Sequence, residues 1–141
     1  MSDRPRVLFV CVRNAGTSQL AAGLMRHLAG DAVAVSSAGT APGDGLDEQA
    51  VRSLAELGID IGGQRPKPVT EQLVGDADVV VVLGREARLD LAPGTRVLTW
   101  EVDEPSARGI EGMDRMRLVR DDIAARVRAL ADELGAGRHP A

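Results

Sequence analysis

Apolar positions follow two rhythms along this chain. Arg6 to Val12 and Ala77 to Leu83 are almost unbroken β-branched and aliphatic runs, as expected of strands buried on both faces of a parallel sheet. Ala32 to Ala38 and Thr95 to Trp100 are shorter runs of the same kind, giving four predicted strands. Between them the period changes to that of a helix. Leu20, Leu24 and Leu28 recur every fourth residue after Thr17-Ser18, either of which can cap, and Gly30-Asp31 closes that segment. Asp47 is placed to cap a helix carrying Val51, Leu54 and Leu57, stopped at Gly58.

Thr70 to Val74 predicts a short helix with Thr70 as its cap, and Arg85 to Asp90 a further helical turn before Pro93-Gly94. The last helix carries Met116, Val119, Ile123, Val127, Leu130 and Leu134 on one stripe, with an Asp122–Arg126 pair on another face. Gly135 onward is a polar tail, and Gly39–Gly45, Ile59–Pro68 and Glu101–Gly112 are loops. Strands alternating with helical segments mean βαβ units, so the expected fold is a three-layer α/β/α domain on a four-stranded parallel sheet. One domain over 1–141, with its core in about 5–135, suits 141 residues.

Composition narrows the partners. The net charge of −4 argues against nucleic acid, and no apolar run approaches the roughly 18 residues of a membrane span. The polar start, Met1 to Arg6, does not resemble a secretory signal, so the cytoplasm is the expected location. Phe9 and Trp100 are the sole aromatic residues, too few for a ring-lined pocket. His27 and His139 lie far apart in sequence, and no metal cluster or tightly bound cofactor is expected. Arg108, Arg115, Arg117 and Arg120, interleaved with acids, read as a solvated helix face, and Met113 and Met116 as core filler.

The candidate chemistry sits where the first strand ends. Cys11 is the single cysteine, so an internal disulfide is impossible and any redox cycle must borrow its second thiol. After it comes a small, amide-rich turn leading into a helix. Strand, loop and helix N-terminus direct successive N–H groups at one point, and an oxyanion is the natural guest. Ligands of parallel sheets bind beyond the carboxyl ends of the strands, where Cys11, Ser36-Ser37, Gly84, Trp100 and the Asp103 loop can meet.

These residues resemble a known family. Cys11-x-x-Asn14-x-x-x-Ser18-Gln19, with Ser37-Ala38-Gly39-Thr40, Ala77 to Gly84 and Trp100 to Pro105 in the right order, is similar to the low-molecular-weight protein tyrosine phosphatases, and within them to the arsenate reductases. The resemblance implies a Cys11 thiolate nucleophile, an oxyanion cradle formed by Val12, Arg13, Asn14, Ala15, Gly16, Thr17 and Ser18, and a carboxylic acid across the cleft. Asn14 would brace the loop and Ser18 would hydrogen-bond the thiolate. For the acid, family position favours Glu104, directly before Pro105; residue type favours Asp103, whose shorter reach gives it the edge.

Three departures shape the expected function. The family loop reads Cys-x5-Arg-Ser, and the arginine position here is Thr17. A hydroxyl cannot replace a bidentate guanidinium, and losing one costs several kcal/mol, on the order of a hundredfold in rate. Ser106-Ala107 follows Pro105 where tyrosine phosphatases carry aromatic residues, and the extra cysteines of thioredoxin-linked arsenate reductases are missing. The resemblance therefore implies formation of an adduct between arsenate and mycothiol as co-substrate, reduced afterwards by a mycoredoxin. The alternatives are a small-substrate or protein phosphatase, and a degenerate oxyanion-binding or redox-sensing module.

Overall fold

The computed structural model describes residues 4–89, 91 and 94–135. Four strands, β1 (Arg6–Cys11), β2 (Ala34–Gly39), β3 (Val79–Leu83) and β4 (Arg96–Trp100), form one parallel sheet in the order β2-β1-β3-β4. The helices are α1 (Thr17–Ala29), α2 (Glu48–Ala55), α3 (Glu71–Asp76) and α4 (Gly112–Glu133). The two predicted runs of β-branched residues became the central strands β1 and β3, all of whose side chains except Arg6 are buried.

The two faces of the sheet are covered unequally. Val7, Phe9 and Val81 point into the larger core, where α1, α2 and α4 contribute Leu20, Met25, Leu54, Ile123 and Val127. Leu8, Val10, Val80 and Val82 point the other way, against Val69, Leu73, Val74, Ala87 and Leu89. Phe9 and Trp100 meet within the larger core, ring centroids 5.8 Å apart and tilted by 50°.

Several local expectations need correction. Arg85 to Leu89 is irregular rather than helical: Ala87 and Leu89 cover the second core without completing a turn (Asp90 lies outside the described residues, as do Pro93 and His139). The N-cap of α1 is Gly16, without a side-chain cap bond, because the Ser18 hydroxyl is turned to the sulfur of Cys11. Leu28 is exposed at the last turn of α1. Asp47 and Thr70 do cap their helices, accepting from the Gln49 and Leu73 amides at 2.9 and 3.1 Å. The stripe of α4 is buried from Met116 to Leu130 as expected, whereas Met113 is partly exposed.

No helix among the described residues is long and apolar enough to cross a membrane. Parallel register brings Cys11, Gly39, Leu83 and Trp100 to one edge of the sheet, since Cys11 pairs with Gly39 and Leu83 with Trp100. That edge is where the chemistry gathers.

Candidate active site

The turn between β1 and α1 wraps the Cys11 sulfur in donors. The Asn14 amide donates to Sγ at 3.2 Å, and Ser18 Oγ lies 3.0 Å away. Ser18 Oγ accepts from Asn14 Nδ2 at 2.7 Å, which leaves its own proton free to point at the sulfur. Asn14 holds φ 53°, in the left-handed region that asparagine tolerates, and is fully buried. Gln19 Nε2 fixes it by donating to its main-chain and side-chain oxygens at 3.1 and 3.2 Å, and the Lys67 amide donates to Oδ1 at 3.0 Å. Gln19, Asn14, Ser18 and Cys11 thus form one chain of donors ending on the sulfur.

A second segment aims the loop. Amides of Thr40, Ala41, Gly43 and Asp47 donate to the carbonyls of Cys11, Val12, Arg13 and Ala15 at 3.1, 2.8, 3.0 and 2.8 Å. With those carbonyls turned outward, the N–H groups of Arg13, Ala15, Gly16, Thr17 and Ser18 take no backbone acceptor among the described residues. They form a nest for negative charge at the helix N-terminus. Gly39 permits the approach: a side-chain carbon there would lie 2.6 Å from the Val12 carbonyl oxygen.

Above the sulfur opens a cavity of about 900 Å³. Its walls hold the loop residues Cys11, Val12, Arg13, Ala15, Gly16 and Thr17 together with Asp103 and Glu104, so the structure gathers these expected site residues; Asn14 and Ser18 lie beneath. Neither carboxylate is idle. Arg108 grips Asp103 through two bonds of 2.8 and 3.0 Å, and holds it below the usual carboxylate range. Arg115 grips Glu104 through Nε and Nη2 at 2.7 and 3.2 Å; with the Ser106 hydroxyl at 2.7 Å, it likewise lowers Glu104. The loop itself is moored to α4: Asp122 accepts from the Asp103 amide at 2.7 Å, and Arg126 donates to the Glu101 carbonyl at 2.8 Å. The Asp122–Arg126 pair thus braces this loop.

The arginine cluster expected on a solvated face is divided. Arg120 is buried and ties α4 to the Ser53 carbonyl and Glu56; Arg117 pairs with Glu56 and Asp114 at the surface; Arg108 and Arg115 hold the acid loop. Sequence patterning carried one trace of this. Arg115 lies four residues before Val119 of the buried stripe, on the same helix face, and both line the cavity. The 40–47 segment reaches the loop through amides, so its hold on the loop carries no such side-chain signal. Among the described residues no group of histidine, cysteine or carboxylate side chains could hold a metal ion.

Comparison with known proteins agrees with this geometry. Residues 6–139 match the model of the low molecular weight phosphotyrosine protein phosphatase family. A putative arsenate reductase of Halobacterium salinarum is 32% identical over 130 residues, covering 89% of each chain. Among solved structures, the thioredoxin-dependent arsenate reductase of Corynebacterium glutamicum superposes with a TM-score of 0.82 at 34% identity. That match covers 97% of this chain and 65% of the other. An arsenate reductase in the phosphate-binding state gives a TM-score of 0.78 at 30% identity, covering 92% and 98%.

Proposed function

The chain belongs to the low molecular weight phosphotyrosine protein phosphatase family, on its arsenate reductase branch, and from that premise we propose that it detoxifies arsenate by joining it to a low-molecular-weight thiol. The observation that carries the reading is the solitary Cys11 in an anion nest: with no second cysteine, the disulfide relay has to be external. Cys11 acts as nucleophile or as the residue that activates the incoming thiol. The S–As bond forms from a sulfur electron pair as the As–O bond breaks, its oxygen leaving as water after taking a proton. Where Cys11 is that nucleophile, the mycothiol thiolate then takes arsenic from it, forming its own S–As bond as the Cys11–As bond breaks and Cys11 leaves as thiolate. Arsenic is still As(V) in this adduct. A thiol of mycoredoxin then attacks the adduct sulfur, two electrons pass to arsenic, and arsenite departs from a mixed disulfide. Mycothiol is the proposed co-substrate, and the cytoplasm, where such thiols are kept reduced, the proposed location.

Arsenite production from arsenate, mycothiol and mycoredoxin is the test. Wild type is expected to exceed the enzyme-free rate and Cys11→Ser to match it; a wild-type rate equal to the blank overturns the reading. A second reading, an oxyanion-binding module without turnover, draws on Thr17 and on two acid candidates both paired with arginines. A phosphatase reading draws on the same thiol and nest. It requires hydrolysis of p-nitrophenyl phosphate that Cys11→Ser abolishes.

A further inference from the structure

The cradle lacks its guanidinium at Thr17, yet three other guanidiniums line the cavity over Cys11: Arg13, Arg85 and Arg115. Their settings differ. Arg85 is largely exposed and paired with Glu101 at 2.7 Å. Arg13 lies folded over Gly43, with Nε 3.5 Å from where a side-chain carbon of residue 43 would sit. Arg115 is the less exposed of the two paired ones, at 28% against 78% for Arg85, and projects from the first turn of a well-anchored helix. Its Nε and Nη2 already form a fork around a carboxylate.

We propose that Arg115 takes the place of the missing loop arginine: it exchanges Glu104 for a tetrahedral oxyanion seated above Cys11, and the released Glu104 serves as the proton donor. This rests on the oxyanion reading of the site. A guanidinium fork fits two oxygens of an arsenate or phosphate as it fits two of a carboxylate, and a dianion attracts it more strongly than the single charge of Glu104. Glu104 does not lose every partner in the exchange, because the Ser106 hydroxyl still donates to Oε1. Leaving Arg115 and facing an anion, the ionised carboxyl gains affinity for a proton and takes one up from water in the open cavity before the step. In the step itself the sulfur pair forms the bond to arsenic or phosphorus. The leaving oxygen departs with the old bonding pair and takes the Glu104 proton, and no atom changes oxidation state. Asp103 remains with Arg108.

The lone cysteine gives a direct readout, since protection of Cys11 from iodoacetamide by inorganic phosphate or arsenate reports occupancy of the nest. Each variant is normalised to its own unprotected rate and checked for folding by circular dichroism. Arg115→Ala is expected to weaken protection by about tenfold or more, with Arg115→Lys in between, as for loss of a charged two-pronged contact. Glu104→Gln frees the fork and is expected to tighten binding several-fold with Arg115 present, and to do so much less in the Arg115→Ala background. Equal tightening in both backgrounds would mean simple charge removal and overturns the exchange. Binding by Arg115→Ala within about twofold of wild type overturns the clamp, as does a loss confined to Arg13→Ala. No protection of wild type overturns the oxyanion reading itself, and the clamp with it.

Discussion

A side chain at position 39 would place its first carbon 2.6 Å from the Val12 carbonyl oxygen and 3.0 Å from Asn14 Cβ, both parts of the anion loop. Neither neighbour can yield cheaply, because Val12 accepts from Ala41 and Asn14 is held from three sides. Gly39→Ala is therefore expected to lose about 1–3 kcal/mol in urea denaturation and to weaken phosphate protection of Cys11. The functional spacing around that glycine was legible: Cys11, Asn14 and Ser18 stand where the motif implied, and Thr17 declared the missing guanidinium. What replaces that arginine was not legible. The pairing of Arg115 with Glu104 spans a turn whose geometry no local pattern specifies, and an arginine among acids reads equally as a solvated face.

Between elements, the contact of α2 with α4 depends on charge as well as packing. Arg117 and Arg120 both reach Glu56 and hold its carboxyl down at about 2, from an ordinary value of 4.5. A depressed carboxyl stabilises the fold above its unfolded value and loses that contribution as pH falls through the folded one. Stability should consequently drop between about pH 4.5 and 2, and Glu56→Gln should flatten that part of the curve in denaturation experiments run across the range. Strands were the most legible elements, since β1 and β3 are buried on both faces and need continuous apolar runs. Asp47 and Thr70 were legible as caps because their oxygens meet amides of the same first turn, at Gln49 and Leu73, a purely local geometry. Of the two roles open to Ser18, cap or partner of the sulfur, the structure shows the second: its hydroxyl is committed to Cys11, so the site overrides the local capping rule. Arg85 to Leu89 failed as a helix because two apolar residues suffice to cover the smaller core in irregular form.

Over the whole molecule, stability is concentrated on the face that carries α1, α2 and α4. Ile123 is wholly buried there, and Ile123→Ala is expected to cost about 2–5 kcal/mol in urea denaturation, through lost transfer energy plus the cavity left behind. The parallel α/β architecture was readable in advance from alternation alone. The unequal coverage of its faces was not, since it depends on which helices find one another rather than on any one segment.

The four amide bonds from the 40–47 segment to the loop carbonyls carry a last implication. The cradle is specified by main-chain registration, so its inheritance depends on spacing more than on residue identity. At Thr40 and Ala41 it is the amide and not the side chain that registers the loop. Adding or removing one residue there would slip the registration and turn carbonyls toward the guest. In this chain the exchange of the loop arginine for Thr17 accordingly leaves the main-chain bonds of the cradle in place.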